Sequence, residues 1–190
     1  MRRRELLTSV GAVATGGLAG CSAERETTTP AFQTSAGFES GESLPARFTC
    51  DGDGVSPPFE VGRVPEPTEA LAVTAETDGG PLDEPVRWSI WNVPPETERI
   101  PAAVPRTETV PSLGGARQGR EEGGEVGYTP PCPPRGGTSE YRFQVYALGD
   151  SLSTEGGATH DTATEAIVGA TFASDRFTVE YTRMDGTDTD

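Results

Sequence analysis

Apolar residues recur at every second position along several stretches of this chain, the period of a strand with one buried face. In 69–77 (EALAVTAET), Leu71, Val73 and Ala75 share a face. In 140–148 (EYRFQVYAL), Tyr141, Phe143, Val145 and Ala147 alternate with Arg142, Gln144 and Tyr146. The run 175–183 (DRFTVEYTR) sets Phe177, Val179 and Tyr181 on one side, and 86–93 (VRWSIWNV) carries two Trp, an Ile and two Val. Two shorter runs, 46–50 (ARFTC) and 58–64 (PFEVGRV), read as further strands. The period changes to that of a helix only over 160–172 (HDTATEAIVGATF), where Ala163, Ala166, Ile167 and Ala170 form a narrow apolar stripe. Asp161 or Thr162 is the expected N-cap, and Thr162-x-x-Glu165 fits a capping box. Between 105 and 127 neither period holds and Gly, Arg and Glu dominate, which predicts a long surface loop. The pattern therefore predicts one mainly-β domain over about residues 37–184, a sandwich of sheets with one or two short helices near the C-terminus.

The ends read differently. Residues 1–21 (MRRRELLTSVGAVATGGLAGC) begin with Arg2, Arg3 and Arg4, continue through a mild Gly/Ala-rich apolar run and close on Cys21. The run is too short and too mild for a transmembrane helix. The Arg pair resembles a twin-arginine export signal over residues 1–20, and LAGC resembles a lipobox in which Cys21 is lipidated. Residues 21–36 are rich in Ser, Thr and Ala and read as a flexible tether; 185–190 form an acidic tail. The expected product is an extracytoplasmic lipoprotein, held at the membrane through Cys21.

Composition sharpens this. The 190 residues carry a formal charge of −15, and all 15 basic residues are Arg. An acidic surface excludes binding to nucleic acid phosphates and docking on anionic headgroups. Acidity without Lys fits a protein of a salt-loving organism, where the Debye length at about 1 M salt is only ~3 Å and self-repulsion is weak. An acidic protein of ordinary salinity is the other reading.

Little points to catalysis. No Ser sits in G-x-S-x-G, no metal-ligand spacing of Cys and His occurs, and no cofactor is implied. His160, the chain's one His, reads as an exposed loop residue just before the helix. The DGDG run (51–54) lacks the spaced acids of a calcium loop and reads as a turn. In GYTPPCPP (127–134) four Pro bracket Cys132, so the loop is stiff before any ligand arrives. Cys132 and Cys50 either pair, in an oxidising exterior, or stay as two buried thiols.

FTCDGDGVSPPFEV (48–61), VRWSIWNVP (86–94), GYTPPCPP (127–134) and EYRFQVYAL (140–148), in this order, resemble the phosphatidylethanolamine-binding, or Raf-kinase-inhibitor-like, family in its bacterial and archaeal branch. The resemblance implies a β-sandwich with a small pocket for anionic groups such as phosphate, and a role in binding or inhibition rather than turnover. It places the family's acid-Pro-acid-Ala-Pro on 77–81, with Asp78 shifted by one place, its first His on Arg87, its Gly-Pro-Cys-Pro-Pro on Pro130 to Pro134, and its His-Arg-Tyr on Ser139, Glu140 and Tyr141. Both pocket His are thus replaced. The expected ligand-binding set is Asp51, Asp78, Arg87, Pro131, Pro133, Ser139 and Tyr141. Arg87 supplies a guanidinium fork, unless it is spent on Asp83 or Glu84; Ser139 supplies a hydroxyl and Tyr141 a phenol. The alternative is a protein-interaction or peptidase-inhibitor module with a non-functional pocket, contacting a protein partner through 105–127.

Overall fold

A computed structural model describes residues 32–77, 87–121 and 124–184 of the chain, without the side chain of Arg87. The export signal, Cys21, Asp78 and the acidic tail lie outside the described residues.

Two sheets face one another. The larger has the order β6-β7-β4-β3-β8-β9, built from β3 (Ala70–Thr77), β4 (Arg87–Val93), β6 (Thr109–Val110), β7 (Ala116–Gln118), β8 (Thr138–Leu148) and β9 (Thr171–Thr182). The smaller has the order β1-β2-β5, from β1 (Gln33–Ala36), β2 (Phe59–Arg63) and β5 (Arg99–Ile100). All strand pairs are antiparallel. Period two decides what fills the space between the sheets. Leu71, Val73 and Ala75 of β3 stand opposite Ala147, Val145 and Phe143 of β8. They share a core with Phe38, Phe48, Phe59, Trp88 and Val179. Rings of Phe38, Phe59, Phe143 and Phe177 lie 5.1–6.4 Å apart, centroid to centroid. A fully buried side chain of this kind stabilises by about 1.5–3 kcal/mol.

The other face of the large sheet is covered by α1 (His160–Ala170). Ala163 and Ile167 press on Ala70, Ala72, Trp91, Tyr146 and Leu148. This is why β3 is buried on both faces although its sequence alternates only weakly. The cap of α1 is Thr159, whose hydroxyl accepts from the Thr162 amide, and not Asp161 or Thr162. Thr159 holds the extended φ/ψ that a cap requires, one residue before the stretch that reads as helical.

Three further expectations are corrected. Residues 46–48 form a 3-10 turn, not a strand, because Phe48 turns back into the core while Thr49 closes the turn on the Ala46 carbonyl. The segment 105–127, expected to be a surface loop, contributes β6, β7 and a 3-10 turn at Pro111–Leu113, and buries Val110, Leu113, Ala116 and Gln118. Its pattern is unreadable because each strand is only two or three residues long. β1 (Gln33–Ala36) occupies residues assigned to the tether.

Candidate functional site at a clamped proline wall

The proline loop runs along one end of the sandwich and is tied down at several points. Cys50 and Cys132 form a disulfide that joins the DGDG turn to the loop. The Cys50 amide donates to the Pro131 carbonyl at 3.0 Å. The rings of Pro131 and Pro133 are buried. Arg183, just beyond β9, reaches the Pro133 carbonyl at 3.4 Å, and its backbone exchanges hydrogen bonds with Gly136 and Gly137. DGDG is a turn, as read: the Gly52 amide donates to the Thr49 carbonyl, and Gly54 sits at φ 63°, a conformation that favours glycine.

Asp51 is placed at this wall, but its carboxylate is already engaged. It accepts from the Tyr181 hydroxyl at 2.6 Å and from Arg183 Nε at 3.1 Å. The Tyr181 hydrogen bond, with Arg183 beside it, holds the Asp51 carboxyl below the usual carboxylate range. Burial and the Asp51 carboxylate push the Tyr181 phenol up. Asp51 therefore ties the DGDG turn to the end of β9.

Ser139 and Tyr141 open β8 on the core side of the large sheet, where Ser139 pairs with Tyr181 and Tyr141 with Thr77 and Val179. Tyr141 is 1% exposed. Ser139 is 4% exposed, and its hydroxyl has no hydrogen-bond partner. Tyr128 stands behind them, edge-on to Trp88, with its hydroxyl on the Phe48 carbonyl at 2.9 Å. Burial and the neighbouring Tyr141 push its phenol up. Trp88 Nε1 donates to the buried Gln118, whose amide donates in turn to the Pro105 and Thr107 carbonyls. Ser139, Tyr141, Pro131, Pro133 and Asp51 are thus brought to one end of the fold. Arg87 opens β4 across from Glu76 at that same end.

Residues 34–182 match the family model described as phosphatidylethanolamine-binding protein. The chain belongs to the phosphatidylethanolamine-binding protein family. It is 36% identical over 133 residues to a UPF0098 protein of Pyrococcus abyssi, covering 70% of this chain and 74% of that protein. It is 34% identical to one of Pyrococcus horikoshii, covering 73% and 70%. The crystal structure of Escherichia coli YbcL, described as a new member of the mammalian family, superposes with a TM-score of 0.71 at 26% identity, covering 80% of this chain and 98% of YbcL. A Chlamydia trachomatis homologue gives 0.68 at 30% identity, with the same coverage.

Against that family background, one cluster escaped sequence reasoning. His160 is not an exposed loop residue: it is the first residue of α1 and 4% exposed. Its Nε2 lies 3.3 Å from Glu76 Oε1 and 3.3 Å from the Thr164 hydroxyl. Glu76 also receives Arg142 from β8. The His160 hydrogen bond, followed by Arg142, brings the Glu76 carboxyl down to about 2, against the opposing effect of burial. The signal in the sequence was period two: Glu76 and Arg142 both fall on the polar side of strands whose other side is core. Nothing in the sequence showed that a helix would cover that polar side.

Proposed function

We propose that this chain is a lipid-anchored, extracytoplasmic binding protein of the family, not a catalyst, which takes a small anionic or phosphate-bearing ligand against the proline wall. The observation that carries the reading is the Ser139 hydroxyl, buried beside Tyr141 without a partner. A buried polar group left unsatisfied costs about 1–3 kcal/mol, and a ligand oxygen accepting from that hydroxyl removes the cost. The wall is stiff and clamped before binding, so little ordering entropy is lost when a ligand arrives. Arg87 at the start of β4 supplies the charge that the family's His would supply, in a planar fork suited to phosphate oxygens.

Titrating the full chain with a phosphate-bearing ligand in molar salt tests this. Saturable binding that weakens in both Ser139→Ala and Arg87→Ala is expected. Absence of saturable binding, or affinity indifferent to both substitutions, refutes the ligand role. Anchoring is tested separately: Cys21→Ser is expected to release the protein from the membrane fraction, and unchanged membrane association refutes it.

A further inference from the structure

A groove of about 550 Å³ lies on the helix side of the large sheet, between α1 and the β8–β9 hairpin. It is on the opposite face from Ser139 and Tyr141. Its floor and walls carry Glu76, Arg142, Gln144, Tyr146, Thr164 and Arg176. We propose that this groove is a second ligand site, for a small molecule that joins an oxyanion to a short apolar or aromatic body, with the oxyanion held between Arg142 and Arg176.

The ladder sets the geometry. Gln144 stands opposite Arg176 and Arg142 opposite Thr178, so the two arginines are diagonal neighbours on one face. Such positions are roughly 7–8 Å apart, a gap that two long guanidinium side chains close on a shared anion. Burial pushes the Tyr146 phenol up, and both guanidiniums oppose that push from the same face of the sheet. Arg176 has an exposed side chain with no carboxylate partner among the described residues. Among the described residues Glu76 is the one carboxylate on the lining, and it is already engaged by Arg142 and His160. Among the described lining residues two arginines stand against one glutamate, in a chain of −15. In high salt such a site works by contact pairing rather than by long-range attraction.

The apolar part has its own support. Among the described residues the exposed large hydrophobics are Val168, Phe172 and Met184. Val168 is 57% exposed on the groove's rim, and Thr171 and Ser174 of β9 line the groove beside it. With the Tyr146 ring, Val168 offers a surface for a flat or aliphatic body. The Thr164 and Ser174 hydroxyls, bonded to His160 and Gln144, complete a polar edge.

The test is titration of the full chain with phenyl phosphate, followed by amide chemical shifts. Residues 164, 174 and 176 are expected to shift saturably, and inorganic phosphate to bind more weakly than phenyl phosphate. Arg176→Gln, an exposed substitution that leaves the fold intact, is expected to weaken binding about tenfold. Ser139→Ala, which probes the other face, is expected to leave it unchanged. Shifts confined to the neighbourhood of Ser139, no saturation in the groove, or equal affinity in Arg176→Gln would each overturn the proposal.

Discussion

Replacing both Cys50 and Cys132 by Ala removes the cross-link that ties the DGDG turn to the proline wall. The two residues are 82 apart in sequence, so the bridge closes a long loop in the unfolded chain. In the chain-entropy account a loop of this length costs the unfolded ensemble about 15 cal/mol/K, or about 4.5 kcal/mol at 25 °C. On the native side little else changes. The Cys50 amide still donates to Pro131, and Arg183 still reaches Pro133. The loss therefore comes almost wholly through the unfolded state, and it is a large fraction of the roughly 5–15 kcal/mol that holds a domain together. For a domain of this size each kcal/mol moves the midpoint by about 2–4 °C, so the double variant is expected to melt some 9–18 °C lower. Thermal unfolding of the oxidised protein and of the variant, at matched salt, measures it. Reducing the wild type must produce the same shift. A fall of less than about 3 °C in both would mean that the unfolded chain is not freed by opening the bridge, and the reasoning would fail.

Glu76 gives a pH test. Its pKa is depressed in the folded state, so its contribution is complete above about 4.5 and is lost as pH falls toward about 2. Partial exposure reduces the effect to roughly 1–2 kcal/mol, and urea unfolding across that window should show it in wild type and flatten it in Glu76→Gln. Tyr181→Phe deletes the hydrogen bond to Asp51 and is expected to cost about 1 kcal/mol in urea, while a melting curve identical to wild type would deny the clamp its role. A methyl group at Gly119 would lie 2.3 Å from the Ser89 hydroxyl and 3.1 Å from the Ala158 carbonyl. Gly119→Ala is therefore expected to cost about 1–3 kcal/mol. Ser89→Ala removes an unpartnered buried hydroxyl and should be near neutral alone, yet recover part of the loss in the double variant; strict additivity would refute the contact.

Much of this architecture is legible in the residues. The alternation in 69–77, 140–148 and 175–183 marks β3, β8 and β9 and assigns their core faces correctly, because side-chain direction in a strand is local. The Phe48 turn and β6–β7 are not legible. They are too short to show a period, and long-range contacts decide their shape. At the site, the proline wall announces itself through composition, while the fate of Asp51 does not. Whether a carboxylate meets a ligand or a Tyr181 hydroxyl depends on a strand 130 residues away. His160 fails for the same reason: its burial is set by Glu76, which lies 84 residues earlier.

The central place of β3 also governs how the chain can be made. Its two partners are β4, which follows soon after it, and β8, which begins only at Thr138. A nascent chain that has emerged no further than the proline loop presents β3 with one bare edge and two apolar faces lacking both α1 and β8. Such an edge invites pairing with another copy. Synthesis of this protein therefore passes through an interval in which its most hydrophobic strand is unprotected, and the interval ends only when the last third of the chain arrives.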